Sequence, residues 1–361
     1  MSNGQHFVVR RDDLHVCKFI DDDESERELT QGQVCLRLEK FGLTANNVTY
    51  AVYGDAIGYW GYFPTQEQGW GRNPVWGFGV VAASANHEVK VGERYYGFFP
   101  ISTRLVVDAK ANSIGLRDEA PHRSQLPRAY NQYFATERDP VYDRGHEDEQ
   151  LILRPLFITS FLAFDFLEDG GFKGAKAVLL SSASSKTAYG MASLLSRVDG
   201  LEVWGLTSRR NETFTKRLGC YDRVFTYDAL DAVPTTRSIA YVDVAGNTAV
   251  RDGLADRLGK TLVYSMALGD THWDESRDKA KMSSQAEFFF APTWLAKRTD
   301  DWGVDGYVAR LAEAWKIFSE NLDGWMKIVS YRGPQAIEQA WLQQLAGEAD
   351  PSIGYVLSMG D

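Results

Sequence analysis

The sequence predicts an α/β chain, in which a small twisted β-region precedes a doubly wound parallel sheet. Three observations predict it. Residues 175–211 read as strand, turn, helix and second strand, the unit from which parallel sheets are built. Beyond residue 211, apolar runs of strand length keep alternating with helical patterns. Residues 1–107 instead hold short strand candidates separated by turn residues.

Bulk properties set limits on function. The 361 residues suffice for two domains or one large α/β domain. Hydrophobic residues make up 44% and aromatic ones 13%, enough for a substantial core. A formal net charge of −10 argues against a nucleic-acid surface. Cys17, Cys35 and Cys220 lie far apart, which suits a reducing compartment and argues against a Cys-rich zinc lobe. No apolar run reaches the roughly 18 residues of a membrane span. The first residues lack the apolar core of a signal peptide. A soluble cytoplasmic protein with no membrane or nucleic-acid partner is expected.

Residues 6–10 and 15–20 are short strand candidates, followed by an acidic turn over 21–28 that reads as a solvated loop. Residues 33–39 alternate as a half-exposed strand. Residues 41–63 carry Asn46, Asn47, Tyr50, Tyr53, Tyr59, Trp60 and Tyr62 among glycines. Rings with polar tips suit a small-molecule cleft, and equally a surface loop whose rings cover the core. Residues 74–83 form a Gly-containing strand, and 90–107 two strands joined at Pro100. Residues 120–150 are polar, with Pro121, Pro127 and Pro140, and read as an irregular insertion or lid. Residues 151–168 turn apolar and helical, with Phe157, Phe161, Phe164 and Leu167.

In the central unit, residues 177–180 are a buried-type strand, and Met191, Leu194, Leu195 and Val198 keep helical spacing. The turn between them admits three readings. Ser185-Lys186-Thr187 resembles the end of a P-loop, but both of its glycines are missing. In a dinucleotide turn the glycines are replaced by Ser182, Ser185 and Ala188, small enough for close backbone approach. An ordinary βα turn without ligand is the third. After the second strand, Thr207-Ser208-Arg209-Arg210-Asn211 stands where an NAD site carries a carboxylate. Two guanidiniums and a hydroxyl there favour NADP(H) over NAD(H), while a solvated helix start explains the same residues without a ligand. Further strands follow over 222–225, 238–244 and 261–267, with helices over 214–218, 249–258, 307–322 and 335–345. The strand over 354–357 finds a place only by returning to the first domain.

In this order the elements resemble the medium-chain dehydrogenase/reductase superfamily. The matching stretches are residues 43–48, Trp76-Gly77-Phe78-Gly79-Val80-Val81, residues 91–97, Leu206-Thr207-Ser208, residues 218–222 and Tyr241-Val242-Asp243. The resemblance implies a GroES-like β-domain plus a Rossmann domain. It places the former over 1–154, with an insertion over 120–150. The latter follows over 155–310, and the chain returns to the first domain over 311–361. The zinc-free quinone oxidoreductase and enoyl reductase branch is the nearest in pattern. The Gly-His-Glu of the zinc enzymes is here Gly77-Phe78-Gly79, so no zinc is expected. Gly145-His146-Glu147 reads as a coincidence inside the charged stretch.

The resemblance assigns the pyrophosphate turn to Ser182, Ser185, Lys186 and Ala188, with Thr187 beside them among the cofactor contacts. It assigns the 2′-phosphate to Ser208, Asn211 and Tyr227, with Arg209 or Arg210 supplying charge. Ala245 and Met266 fall toward the nicotinamide. A reductase without zinc needs a hydrogen-bonding acid near the reacting carbon. Tyr50, Tyr62 and Tyr59 are the candidates, with Asn46 orienting. His272 is a second candidate acid and Lys186 a third. The function implied is NADPH-dependent hydride transfer to an activated C=C or C=O of a small apolar molecule; many relatives form a homodimer through the Rossmann edge strand, and the oligomeric state stays open. Two other functions stay open: a non-catalytic nucleotide-responsive or partner-binding relative, and a P-loop-like phosphotransferase.

Overall fold

The computed structural model describes residues 4–22, 27–268, 286–320, 322–347 and 349–360. The chain divides into two compact units, Met1–Ile152 with Met326–Asp361, and Leu153–Trp325. In chain order the first unit opens with β1 (Gly4–Arg10), β2 (Cys17–Asp22), β3 (Gln33–Leu43), α1 (Ala45–Val52), β4 (Trp70–Gly71), β5 (Pro74–Ser84) and β6 (Arg94–Pro100). Then come β7 (Arg104–Asn112), β8 (Gly115–Asp118), β9 (Gln132–Ala135) and the start of α2 (Glu147–Asp169). The second unit adds β10 (Ala177–Leu180), α3 (Lys186–Leu195), β11 (Glu202–Thr207), α4 (Glu212–Arg217) and β12 (Arg223–Thr226). It ends with β13 (Ile239–Asp243), α5 (Thr248–Leu258), β14 (Leu262–Ala267), β15 (Glu287–Phe288) and α6 (Ala291–Ser319). β16 (Lys327–Arg332), α7 (Pro334–Leu345) and β17 (Ile353–Ser358) return to the first unit.

The first unit is built on a closed ring of strands. β3 pairs with β5, β5 with β6, β6 with β9, β9 with β8, β8 with β7, and β7 pairs back onto β3. Closure leaves no unpaired edge in the ring and fills its middle with side chains. Val34, Leu36, Val75, Phe99, Val107, Leu116 and Tyr133 are buried there. β3 is long enough to serve two partners. Its first half pairs with β7, while Phe41–Leu43 pair with β17, which is parallel to β16. Residues 354–357 lie in β17, within the first unit. β1, β2 and β4 form a separate small sheet, on which Trp341 of α7 packs, its indole 6.2 Å from the Phe7 ring.

Two expectations are corrected here. Residues 120–150 are not an irregular insertion, because they supply β9, a member of the ring. Tyr133 of that strand is fully buried and donates its hydroxyl proton to the Phe98 carbonyl at 2.8 Å. Only four residues carry the strand, so the surrounding prolines and charges mask its alternation. Residues 45–52, read as loop, form α1. Thr44 caps it, and the Asn47 side chain accepts the Thr44 N–H at 2.8 Å in return.

In the second unit six parallel strands lie in the order β12-β11-β10-β13-β14-β15. That is the third, second, first, fourth, fifth and sixth in chain order, the arrangement of dinucleotide-binding sheets. Every residue of β10 is buried, as its uninterrupted apolar run requires of a central parallel strand. α2 is long and apolar enough to cross a membrane by composition, contrary to the expectation from the sequence. It is instead a core helix, with 67% of its most apolar stretch buried. Phe157 stacks on Phe318 of α6 at 4.6 Å and meets Trp315 at 5.4 Å.

Candidate functional site

The four predicted catalytic side chains of the first unit come together. Asn46 and Tyr50 sit one turn apart on α1, and the Asn46 Nδ2 donates to the Tyr50 hydroxyl at 2.8 Å. A second donor arrives from β5: the Trp76 indole N–H reaches the same oxygen at 3.2 Å. The Tyr50 oxygen thus accepts two hydrogen bonds, and its own proton is left for another acceptor. Tyr59 packs on Tyr50 at 4.7 Å between ring centres and shares a hydrogen bond with the Tyr130 hydroxyl at 3.2 Å. Tyr62 lies 5.4 Å from Tyr130 and donates its proton to the Pro127 carbonyl at 3.1 Å.

The three tyrosines are therefore not equivalent. Burial raises the pKa of all three above the ordinary tyrosine value. At Tyr50 the hydrogen bonds from Trp76 and Asn46 oppose that rise, because both stabilise the phenolate. The proton of Tyr62 is committed to a carbonyl. Phe98 and Tyr130 complete an aromatic wall, 4.7 Å apart. Sequence reasoning missed Trp76 and Tyr130, since both come from other parts of the chain.

In the second unit the turn after β10 is strained and pinned. Ser182 has a φ of 50°, a left-handed conformation unusual for serine. Its N–H donates to the Tyr227 hydroxyl at 2.8 Å. Ser185 caps α3 by accepting the Ala188 N–H at 3.2 Å. Lys186 and Thr187 open α3, whose first amides lack intrahelical acceptors. The Thr187 carbonyl accepts the Ser160 hydroxyl at 2.7 Å.

At the end of β11, Asn211 holds the turn through Ser184 Oγ at 3.0 Å. Arg209 donates twice to one Asp228 oxygen, at 2.9 and 2.7 Å, in an exposed pair. Arg210 lies beside it in the same short turn. The Ser208 hydroxyl oxygen is buried and has no hydrogen-bond partner among the described residues. The turn, Ser208, Asn211 and Tyr227 are thus brought to one end of the sheet.

Ala245 and Met266 stand near the ends of β13 and β14. The Ala245 N–H donates to Ser181 Oγ at 3.1 Å, in a network missed by the sequence reading. Ser181 in turn donates to Asp243 at 2.9 Å, and Arg251 donates to the other Asp243 oxygen at 2.9 Å. Met266 is fully buried in β14, where it pairs with Val242, and shows no exposed side chain. His272 lies outside the described residues.

Gly145-His146-Glu147 is part of an ion-pair network. His146 pairs with Asp143 at 2.8 Å, and Glu147 with Arg94 and Lys40. Gly77-Phe78-Gly79 lies inside β5, with Phe78 fully buried. A Cβ at Gly79 would come within 2.9 Å of the Phe99 ring, so a larger residue there requires movement of the core.

Residues 41–350 match the family described as protein of unknown function, DUF2855, and the chain belongs to that family. Among curated protein sequences none matches the chain. Solved structures are similar over 99% of this chain and 99% of theirs. CurA from Vibrio vulnificus matches at 14% identity with a TM-score of 0.60, and is also solved in complex with NADPH at the same values. The quinone oxidoreductase from Coxiella burnetii matches at 15% identity with a TM-score of 0.58. The likeness is one of fold, that of the medium-chain dehydrogenases/reductases.

Proposed function

We propose that this chain is an NADPH-dependent, zinc-independent reductase that delivers hydride to an activated C=C or C=O of a small apolar substrate. The observation that carries this reading is the Tyr50 hydroxyl, which accepts from Asn46 and Trp76 within an aromatic cluster. The neighbouring folds include one solved with NADPH, and the parallel strand order is that of dinucleotide-binding sheets.

The second unit fits the cofactor. The partnerless Ser208 hydroxyl and the Tyr227 O–H supply donors for a 2′-phosphate. Among the described residues Arg209 is held only by an exposed ion pair, which solvent screens, and is readily redirected to a phosphate. The first amides of α3 face a pyrophosphate in this kind of turn.

NADPH, when bound, would supply the hydride, and the reduction would leave negative charge on the substrate oxygen or the adjacent carbon. Tyr50 then gives up its proton to that atom. The phenolate left behind is held by the Asn46 and Trp76 N–H groups. Burial keeps Tyr50 protonated at neutral pH. The rings of Tyr59, Tyr130 and Phe98 favour planar, apolar substrates.

The test is titration with NADPH and, separately, NADH, followed by tryptophan fluorescence. Micromolar NADPH binding with much weaker NADH binding is expected, and Arg209→Ala with Arg210→Ala should remove that preference. Absence of binding by either nucleotide refutes the reading.

A further inference from the structure

The end of β11 carries no carboxylate, but the neighbouring strand brings one to the same place. β11 and β12 run parallel, and Thr207 stands opposite Thr226 at their ends. The chain therefore leaves both strands side by side, through Ser208-Arg209 on one and Tyr227-Asp228 on the other. Tyr227 is fixed to the turn after β10 by the Ser182 N–H. Asp228 follows it directly, and its carboxylate reaches across to Arg209.

Two side chains hold that carboxylate. Arg209 Nε and Nη2 both donate to Asp228 Oδ2, at 2.9 and 2.7 Å. The Thr226 side chain supplies a further hydrogen bond. These bonds, from Thr226 first and then Arg209, keep Asp228 below the ordinary aspartate range, so it is charged at neutral pH. Thr226 is buried, whereas Arg209 and Asp228 are both exposed, so the guanidinium is the partner that can move.

A guanidinium presents its donors as a planar fork, and a fork laid on a carboxylate is not free to clasp a phosphate. A 2′-phosphate must therefore take Arg209 away from Asp228. A ribose with a bare 2′-OH has no such need, and a carboxylate can accept a hydrogen bond from that hydroxyl. Resting on the NADPH reading above, we propose that Asp228 is a specificity-determining residue of the nucleotide site: it competes with the 2′-phosphate for Arg209 and so narrows the preference for NADPH over NADH. Its removal helps one nucleotide and not the other, a difference that a merely structural role would not give.

The experiment is fluorescence titration of the whole protein with NADPH and, separately, NADH, in the parent, Asp228→Asn, Arg209→Ala and the double variant. Asparagine keeps the shape of the side chain and removes its charge. NADPH affinity should rise about three- to fivefold in Asp228→Asn, the scale of one solvent-screened ion pair. NADH affinity should not rise. In the Arg209→Ala background the NADPH gain should fall below about twofold, because nothing is left to compete for. Both side chains are exposed, so neither variant disturbs the core, and far-UV dichroism with thermal melts checks that each is folded. The proposal is overturned if Asp228→Asn leaves NADPH affinity unchanged or lowers it, if NADH gains as much, or if the full gain persists without Arg209. Binding of neither nucleotide by the parent or by Asp228→Asn refutes the reductase reading, and the role of Asp228 falls with it. A parent that binds NADPH while Asp228→Asn gains nothing refutes only the role of Asp228.

Discussion

The Tyr227 hydroxyl accepts the backbone N–H of Ser182, and that bond holds a serine in the left-handed conformation. Tyr227→Phe leaves the N–H without its acceptor. A loss of about 1–2 kcal/mol is predicted, seen as a lower midpoint in denaturant melts. Ser182→Gly removes the steric cost of the positive φ but adds unfolded-state entropy. Its stability should stay within about 1 kcal/mol of the parent. A larger loss would mean that the serine hydroxyl, not the backbone, anchors the turn.

Tyr50→Phe should retain NADPH binding and lose turnover by about 10²-fold or more, the usual worth of a positioned acid. Trp76→Phe keeps the acid but removes one donor to its phenolate, and the proton becomes harder to release. The alkaline limb of the pH–rate profile should lie above the ordinary tyrosine value of about 10 and move further up in Trp76→Phe. A limb unchanged by Trp76→Phe would remove the indole from the proton transfer.

Glu147 gives the first unit an acid-sensitive joint. Burial alone pushes its carboxyl pKa up, but hydrogen bonds from Arg94, Tyr142 and Lys40 outweigh that and hold it at about 2. The folded form therefore binds this proton less tightly than the unfolded form. Stability from the site is complete above about pH 5 and is lost as pH falls toward 2. Denaturant melts at pH 6, 4 and 3 should show this slope, and Glu147→Gln should be less stable at pH 6 with a flatter slope.

Gly97 of β6 leaves room for a buried ring. A Cβ there would fall 2.4 Å from Tyr133 Cδ1, and Tyr133 has no exposed surface to move into. Gly97→Ala should cost about 1–3 kcal/mol by overpacking. The pair Gly97→Ala with Tyr133→Leu should recover part of it, measured by thermal melts.

The parallel sheet was legible because its strands are buried on both faces, so apolar runs such as Ala177–Leu180 stand out between helical patterns. α1 was not. Asn46, Asn47, Val48 and Thr49 are weak helix formers, and only the Thr44–Asn47 cap marked its start. β9 is four residues long and owes its place to partners on both sides of the ring. Asn46 and Tyr50 were readable as a pair from helical spacing once the helix was known. Trp76 reaches the same hydroxyl from a strand remote in sequence, a relation that no local pattern records.

The pairing of Tyr355 with Leu43 spans the whole of the second unit in sequence. Residues 153–325 are contiguous and can fold as soon as they have emerged from the ribosome. β3 emerges far earlier, yet it waits for β17 to cover Phe41–Leu43. Until the last segment arrives, the outer edge of that half-strand is an open template for other chains.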